Sequence, residues 1–300
     1  MVWSFPKSFC DVTQNHALRA LTLSIGDAIA PPTSLVFELG CSLIQCVGDE
    51  PPKVHSSSLL DLNKPAATNG FKDRRQFRNR LNIPEKKPKK TGARLHVFHL
   101  STAKELELFT NKIPLEQKQI TAEVCIHHLW FTNEDYETKG NLIKWNPAVK
   151  SAKDRERILQ GVLEDRIDVI ATDHAPHTLE EKSKTYSSAP SGGPLVQHSL
   201  VAMLDLYHEG KIELEQIVQK MSHNVAILFE IDKRGYLRPG YHADLVIADL
   251  DSPWKVEKSN ILSKCGWSPF EGHVFKSKVT HTVVSGHLAY ENGVFHEEKK

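Results

Sequence analysis

Apolar and polar residues occur in alternating blocks from residue 95 onward, in a pattern typical of buried strands separated by helices. Apolar runs at residues 95–99, 120–126 and 167–172 predict three strands. Residues 154–166 place apolar side chains at positions i, i+1, i+4 and i+5 from Ile158, which predicts a helix. Apolar strands that alternate with helices indicate a parallel sheet covered on both faces. Further helical spacing occurs over residues 102–111, 195–208 and 212–229.

The pattern changes after Gly235 to short strands separated by glycine turns. Residues 243–251 and 278–293 carry these strands, so we expect a small β-module at the end of the chain. The chain is therefore predicted to contain three regions: residues 1–93, 94–234 and 235–300.

The first of these regions, residues 1–93, lacks a lasting alternation of strands and helices. Its short apolar patches are interrupted by Pro31-Pro32 and Pro51-Pro52. Residues 64–90 then contain ten Lys or Arg residues against two acidic ones. Such basic runs are usually solvated and often disordered. We therefore expect a poorly structured, partly disordered N-terminal region that contributes little to the core.

The composition is that of an ordinary globular protein and excludes several classes. Of 300 residues, 40% are hydrophobic and 25% are charged, and the formal net charge is +1, so no global charge attracts nucleic acid or a membrane. Five cysteines without a Cys-x-x-Cys pair favour reduced thiols over a disulfide framework. The sequence has no pattern typical of a secretory signal or a membrane span. We expect a soluble, cytoplasmic protein with no membrane partner.

The densest group of reactive side chains lies in the sequence ATDHAPH, which places Asp173, His174 and His177 after the third predicted strand. His99 ends the first predicted strand, and the pair His127–His128 ends the second. In parallel α/β barrels the catalytic side chains converge at the carboxyl ends of the strands. An Asp at such a position can bind a metal and accept a proton. A single His-x-x-His is more often structural, but reactive residues at three strand ends favour an active site.

Five segments resemble the dihydroorotase family in order and in spacing. They are RLHVFHLSTAKE (94–105), TAEVCIHHLWF (121–131), LIKWNPAVK (142–150), DRIDVIATDHAPHTLEEK (165–182) and APSGG (189–193). The β-module of that family is similar to GYLRPGYHADLVIADLD (235–251), SPFEGHVFKSKV (268–279) and TVVSGHLAYENG (282–293). The resemblance implies an α/β fold in which the last three strands of a (β/α)8 TIM barrel precede the β-module.

The resemblance also implies roles for individual residues in a site that holds two zinc ions in the family. His99 matches a metal ligand, and Asp173 matches a metal ligand that also shuttles the proton. Substrate-contacting positions of the family match Asn146, His177, Ser191 and Gly192. Two further residues, for which the resemblance assigns no role, lie near the site: His128 and His174.

Most of the family's metal site has no counterpart in this sequence. In the family, the first strand ends in a His-x-His pair followed by an Arg, the fourth brings a bridging carboxylate, and the fifth brings another His. Residues 1–93 contain His16 and His55 but no His-x-His pair. They are also too few for five strand–helix units of about 30 residues each. We therefore expect at most one weakly held zinc ion and impaired catalysis.

The function implied by the resemblance is the reversible cyclisation of N-carbamoyl-L-aspartate to dihydroorotate in pyrimidine biosynthesis. A hydantoinase-like or allantoinase-like cyclic amidohydrolase is an alternative within the same class. A non-catalytic remnant is another alternative, binding a second copy or a full-length relative through unpaired strand edges. Nucleic-acid binding by residues 64–90 through phosphate contacts is a further hypothesis, although such stretches are more often solvated linkers.

Overall fold

The computed structural model describes residues 20–23, 34–40 and 94–297, in which the strands form a six-stranded sheet, a three-stranded sheet and a two-stranded ribbon. The strands are β1 (Ala20–Leu23), β2 (Ser34–Gly40), β3 (Leu95–Val97), β4 (Ile120–Cys125), β5 (Val169–Ala171), β6 (Leu245–Asp249), β7 (Trp254–Lys255), β8 (Val274–Phe275), β9 (Lys278–Val284), β10 (His287–Glu291) and β11 (Val294–Phe295). The α-helices are α1 (Ile126–Trp130), α2 (Tyr136–Lys139), α3 (Ala152–Leu163), α4 (Leu179–Lys182), α5 (Ser199–His208), α6 (Leu214–Val218) and α7 (Asn224–Leu228). A π-helical turn covers Gln219–His223, and short 3-10 helices cover Glu105–Leu108, Leu115–Gln117, Asn133–Asp135, Gly140–Ile143, Val196–His198 and Lys258–Asn260.

The three-stranded sheet has the order β3-β4-β5, and both of its pairings are parallel. Its strands fall within the three apolar runs that predict strands, although each strand is shorter than its run. Parallel neighbours need a long crossover connection, and α3 lies in the connection from β4 to β5 as its apolar spacing predicts. The mixed α/β class is confirmed.

The two faces of this parallel sheet differ in chemistry. Val124 of β4 and Ile170 of β5 lie in the main hydrophobic core together with Val162 of α3. On the opposite face, Nε2 of His96 lies 3.0 Å from a carboxylate oxygen of Glu123, and both side chains are largely buried. Successive side chains of a strand point to opposite faces, so β4 presents an apolar and a polar face.

A buried ion pair lies at the amino ends of β4 and β5. Nζ of Lys118 donates to a carboxylate oxygen of Asp168 at 2.6 Å, and each side chain is 4% exposed. The second carboxylate oxygen of Asp168 accepts the backbone N–H of Ala122 at 3.0 Å. Lys118 precedes β4 and Asp168 precedes β5. The pair therefore fixes the position of one strand relative to the other.

The six-stranded sheet has the order β1-β2-β6-β9-β10-β11, and all of its pairings are antiparallel. Ser285 and Gly286 form the turn between β9 and β10, with φ values of 51° and 85°. Two successive positive φ values are the signature of a type I′ hairpin. β6, β9, β10 and β11 follow Gly235, where the sequence pattern predicts short strands.

The strands β1 and β2 come from the N-terminal region, for which the sequence pattern predicts little structure. They extend the six-stranded sheet beyond β6, so the expectation of a poorly structured region is corrected for residues 20–23 and 34–40. The basic stretch, residues 64–90, lies outside the described residues. The three-region division of the chain stays a prediction.

Within the described part of the chain, every helix falls short of the length and apolarity that a membrane crossing requires.

Candidate functional site

His99 and Asp173 occupy equivalent positions at the carboxyl ends of two parallel strands. His99 lies two residues beyond β3, and Asp173 lies two residues beyond β5. Both residues adopt left-handed backbone conformations, with φ values of 42° and 48°. A residue with a Cβ rarely adopts this conformation, and backbone strain of this kind clusters at functional sites. Two reactive residues therefore lie at the same edge of the sheet.

Residues of the other two strand segments, His99 beyond β3 and Glu123 in β4, act on the charge of Asp173. Burial raises the pKa of the Asp173 carboxyl; the His99 ring opposes this rise, and the Glu123 carboxylate adds to it. The Nδ1 atom of His99 is buried and has no hydrogen-bond partner among the described residues. A carboxyl group whose pKa moves towards neutrality is suited to exchanging protons. The Asp173 carboxyl is thus placed where it can take up and release a proton.

The His127–His128 pair lies in α1 rather than at the end of a strand, because β4 ends at Cys125. Nε2 of His128 donates to the carbonyl oxygen of Pro147 at 3.1 Å. Burial lowers the pKa of His128 to about 3, so the ring is neutral near pH 7. The His127 ring stacks on the indole of Trp145, with a centroid distance of 4.2 Å and an interplanar angle of 7°. The pair therefore holds the chain on both sides of Asn146.

Asn146 is exposed between two anchored neighbours. Trp145 is 2% exposed, and the Asn146–Pro147 peptide bond is cis. Nζ of Lys144 donates to the carbonyl oxygens of Tyr186 and Ala189. The backbone around Asn146 is thus fixed while its side chain remains accessible, as a substrate contact requires.

Residues 190–193, which we call the 190–193 loop, include two of the predicted substrate positions, Ser191 and Gly192, and contact a third, His177. The backbone N–H of Gly192 donates to the carbonyl oxygen of Lys144 at 2.9 Å. Gly192 has a φ of 126°, and a Cβ at this position would lie 2.5 Å from the carbonyl oxygen of Ala175. Nε2 of His177 donates to the carbonyl oxygen of Ser191 at 3.1 Å. The structure therefore brings the loop, the segment before Asn146 and His177 into one hydrogen-bonded group.

The rings of His177 and His174 both form hydrogen bonds with other residues of the chain. While Nε2 of His177 donates to Ser191, its Nδ1 lies 3.7 Å from a carboxylate oxygen of Glu181. Nδ1 of His174 accepts the backbone N–H groups of Leu195 and Val196 at 3.1 and 3.2 Å. Burial lowers the pKa of His174 to about 4. In this arrangement both rings stabilise the 190–193 loop and the chain that follows it.

The metal-binding capacity of the described residues is limited. No group of three or more His, Cys, Asp or Glu side chains in this part of the chain is placed to hold a metal ion. Hydrolytic zinc sites typically use three protein ligands and a water molecule. His99 and Asp173 provide two, so the described residues do not fit a complete zinc centre.

Two residues near the site carry only weak signals in the sequence and are not predicted from it. Glu123 lies on the polar face of β4 and acts on the pKa of Asp173. Its signal in the sequence is a single carboxylate within the apolar run ITAEVC. Lys182, the last residue of DHAPHTLEEK, is 2% exposed although lysines in such charged segments are usually solvated.

Comparison with known proteins identifies relatives for the region that carries this site. Residues 71–289 match the Amidohydrolase family. The dihydroorotase of Pyrococcus furiosus is 36% identical over 196 residues, which cover 65% of this chain and 45% of the relative. The dihydroorotase of Clostridioides difficile is 35% identical over 202 residues, covering 67% of this chain and 47% of the relative. The chain therefore spans about half the length of the relatives that it matches.

Solved structures show the same partial correspondence. The L-hydantoinase (dihydropyrimidinase) from Arthrobacter aurescens superimposes with a TM-score of 0.65 and 31% identity, covering 70% of this chain and 48% of the hydantoinase. An inactive dihydroorotase-like domain of a Chaetomium thermophilum CAD-like multifunctional protein has a similar fold, with a TM-score of 0.52 and 20% identity, over 70% of this chain and 55% of that domain. By the extent of its sequence match, which covers well over half of its residues, the chain belongs to the amidohydrolase family.

Proposed function

We propose that residues 94–297 carry the substrate-binding and proton-transfer half of a dihydroorotase-like site, on the last three strands of a partial TIM barrel. The reaction is the reversible cyclisation of N-carbamoyl-L-aspartate to dihydroorotate. The observation that carries the proposal is the matched placement of His99 and Asp173, each two residues beyond a parallel strand and each left-handed. The relatives named dihydroorotase support the choice of substrate.

Each residue has a distinct part in this proposal. Asp173 exchanges a proton with the ring nitrogen of dihydroorotate, and its raised pKa favours that exchange. The exposed side chain of Asn146 and the 190–193 loop hold the ring. His99 and Asp173 are the remaining metal ligands of a centre that the described residues do not complete.

The isolated chain should therefore turn over dihydroorotate at no more than the background rate. A neutral amide needs an activated hydroxide as nucleophile, and two ligands do not provide the centre that generates it. Loss of dihydroorotate in the presence and absence of added zinc measures this directly. Hydrolysis that a chelator abolishes, that zinc restores and that Asp173→Ala removes would show that the site is complete in some other way.

Substrate binding tests the site assignment separately from turnover. Titration of the chain with dihydroorotate, followed by the amide resonances of Ser191 and Gly192, should show saturable binding. Asn146→Asp should weaken it, because a new carboxylate would face the carboxylate of the ligand. Asn133→Asp, at an exposed asparagine in a neighbouring 3-10 helix, is the matched control. Absence of any saturable change in the unmodified chain would refute the assignment.

A hydantoinase-like activity is the second candidate, favoured by the similarity to the Arthrobacter L-hydantoinase. Hydantoins lack the ring carboxylate of dihydroorotate. Parallel titrations with dihydroorotate and with a 5-substituted hydantoin distinguish the two substrate classes. Preference for the hydantoin would favour this candidate over a dihydroorotase-like site.

A non-catalytic role in binding a partner chain is the third candidate. Within the described residues, β3 pairs on one side with β4 and forms no ladder on its other side. Unpaired strand edges recruit other chains. The molar mass of the purified chain in solution, alone and mixed with a full-length dihydroorotase, tests this candidate, and a monomer in both samples would count against it.

A further inference from the structure

Lys182 makes three hydrogen bonds to backbone carbonyl groups around the 190–193 loop. Its Nζ atom donates to the carbonyl oxygens of Gly192 at 2.8 Å, Pro190 at 3.1 Å and Lys144 at 3.3 Å. The intervening carbonyl, that of Ser191, accepts from His177. Three consecutive carbonyl groups of the loop are therefore held by two side chains of the segment DHAPHTLEEK.

The ammonium group of Lys182 is buried with carbonyl groups and an aromatic ring around it. The residue is 2% exposed, and Nζ lies 5.8 Å from the centre of the Trp267 ring. Burial lowers the pKa of Lys182 to about 8, and the like charge of Lys144 contributes to the lowering. A buried cation is costly unless polar groups surround it. The convergence of three carbonyl groups on one ammonium therefore marks a specific arrangement rather than a solvated helix end.

The carbonyl group of Lys144 links this cluster to the segment that carries Asn146. It accepts both the backbone N–H of Gly192 and the ammonium of Lys182. On the other side of the loop, Gly192 approaches the backbone of Ala175 so closely that a Cβ would clash. The loop thus lies between two fixed segments, with Lys182 connecting it to one of them.

We propose that Lys182 is a positioning residue that holds the 190–193 loop against the segment before Asn146 and so places the loop for contact with substrate. The inference rests on the proposed function for its link to substrate, whereas the loop geometry is independent of it. Binding contacts must be held within about 0.5 Å of their productive geometry to be effective. Removing the ammonium leaves three carbonyl groups without this donor and releases the loop.

The test uses Lys182→Met, which keeps the length of the side chain and removes its donors. Lys182→Arg, which keeps charge and donors, should retain part of the function. The matched control is Lys139→Met, because Lys139 is a partly buried lysine whose Nζ likewise donates to a backbone carbonyl, that of Pro269 at 2.8 Å. Lys139 contacts no residue of the 190–193 loop in the described hydrogen bonds and ring contacts.

Two readouts separate the positioning role from the proposed function. The exchange of the Gly192 amide hydrogen, which donates to Lys144, should be at least about tenfold faster in Lys182→Met than in the unmodified chain or in Lys139→Met. The dissociation constant for dihydroorotate should rise about tenfold in the same variant, equivalent to about 1.4 kcal/mol. For Lys182→Arg, both values should lie between those of Lys182→Met and those of the unmodified chain. If Lys182→Met fails to fold, Lys182→Gln, which keeps one donor group, provides the same comparison.

Each outcome has a defined meaning. Unchanged Gly192 exchange in a folded Lys182→Met or Lys182→Gln protein overturns the positioning role. Faster exchange without any dihydroorotate binding in the unmodified chain keeps the loop geometry and refutes the proposed function instead. An equal effect of Lys139→Met on both readouts would mean that Lys182 contributes general stability only, and would also overturn the proposal.

Discussion

At the scale of single residues, the conformations of His99 and Asp173 oppose local preference. Left-handed backbone at a residue with a Cβ costs about 1 to 3 kcal/mol, and it persists where the surrounding structure enforces it. Here the enforcement comes from parallel strands that end two residues earlier in both cases. A shared functional site would account for this energetic cost occurring at both His99 and Asp173, at the same edge of the sheet.

Two histidines away from the proposed site, the buried His198 and the partly buried His223, should make the protein sensitive to acid. Burial lowers the pKa of His198 and of His223 from 6.5 to about 4, with Arg238 adding to the effect at His223. Unfolding restores the ordinary pKa, so the unfolded chain binds more protons between these two pH values. The contribution of these two groups to the free energy of unfolding should therefore fall as the pH drops from 6.5 towards 4, by at most about 1.4 kcal/mol per pH unit and group, and stay constant above this range.

Denaturant titrations across this pH range measure the effect. His198→Asn should reduce the slope, since asparagine can keep the contact of Nδ1 with the Ser268 hydroxyl without titrating. His242→Asn, at an exposed position, should leave it unchanged. A stability that does not vary with pH in this window would contradict the prediction.

The residues of the site can be predicted from the sequence to different degrees. The positions of Asp173 and His99 beyond two strands are predictable because His99 ends one apolar run that predicts a strand and Asp173 directly follows another. Lys182 is not, because its carbonyl partners at residues 144, 190 and 192 are fixed by the fold and leave no local pattern around the lysine. The contact of His128 escapes prediction for the same reason, since the carbonyl of Pro147 is supplied by a loop 19 residues away.

At the scale of secondary structure elements, local pattern predicts strands and α3 well but fails over residues 102–111. The helical spacing there yields a 3-10 helix that ends at Leu108, and Phe109 turns to extended backbone. Arg166, 57 residues away, donates to the Phe109 carbonyl at 2.9 Å. Hydrogen bonds from distant residues satisfy backbone carbonyl groups that a longer helix would otherwise have to satisfy. The strands β1 and β2 could not be predicted from the local sequence either, because β2 forms by pairing with the distant strand β6.

The register of β4 against β5 should depend strongly on the buried Lys118–Asp168 pair. Asp168→Asn leaves the Lys118 ammonium buried without its carboxylate, and loss of one partner of a buried pair costs about 3 to 5 kcal/mol. Glu164→Gln is the matched control, because the Arg157–Glu164 pair is partly exposed and such pairs contribute about 1 kcal/mol or less. Denaturant unfolding compares the two variants. Equal effects of both substitutions would show that the buried pair does not hold the strands.

At the scale of the whole molecule, the N-terminal region and the rest of the chain should differ in resistance to proteases. Residues 64–90 combine ten basic residues with few apolar ones, so burial cannot offset the entropy of ordering them. Limited trypsin digestion should cut first within this stretch and leave a stable fragment that begins near Arg94. First cleavage after Lys153, Lys264 or another basic residue beyond Arg94, with the basic stretch protected, would show that the predicted boundary is wrong.

The difference between the two sheets has a consequence for the order in which the protein folds. The β9–β10 hairpin closes across Ser285 and Gly286, and hairpins form in about 1 to 10 μs. The parallel pairings must instead close residues 98–119 and 126–168, and pairing across such distances is slow. Pulse-labelled hydrogen exchange during refolding should therefore protect amides of β9 and β10 before those of β4 and β5. Simultaneous protection would contradict this order. During synthesis the parallel strands leave the ribosome before the hairpin is made, so the slow pairings are the first whose residues become available.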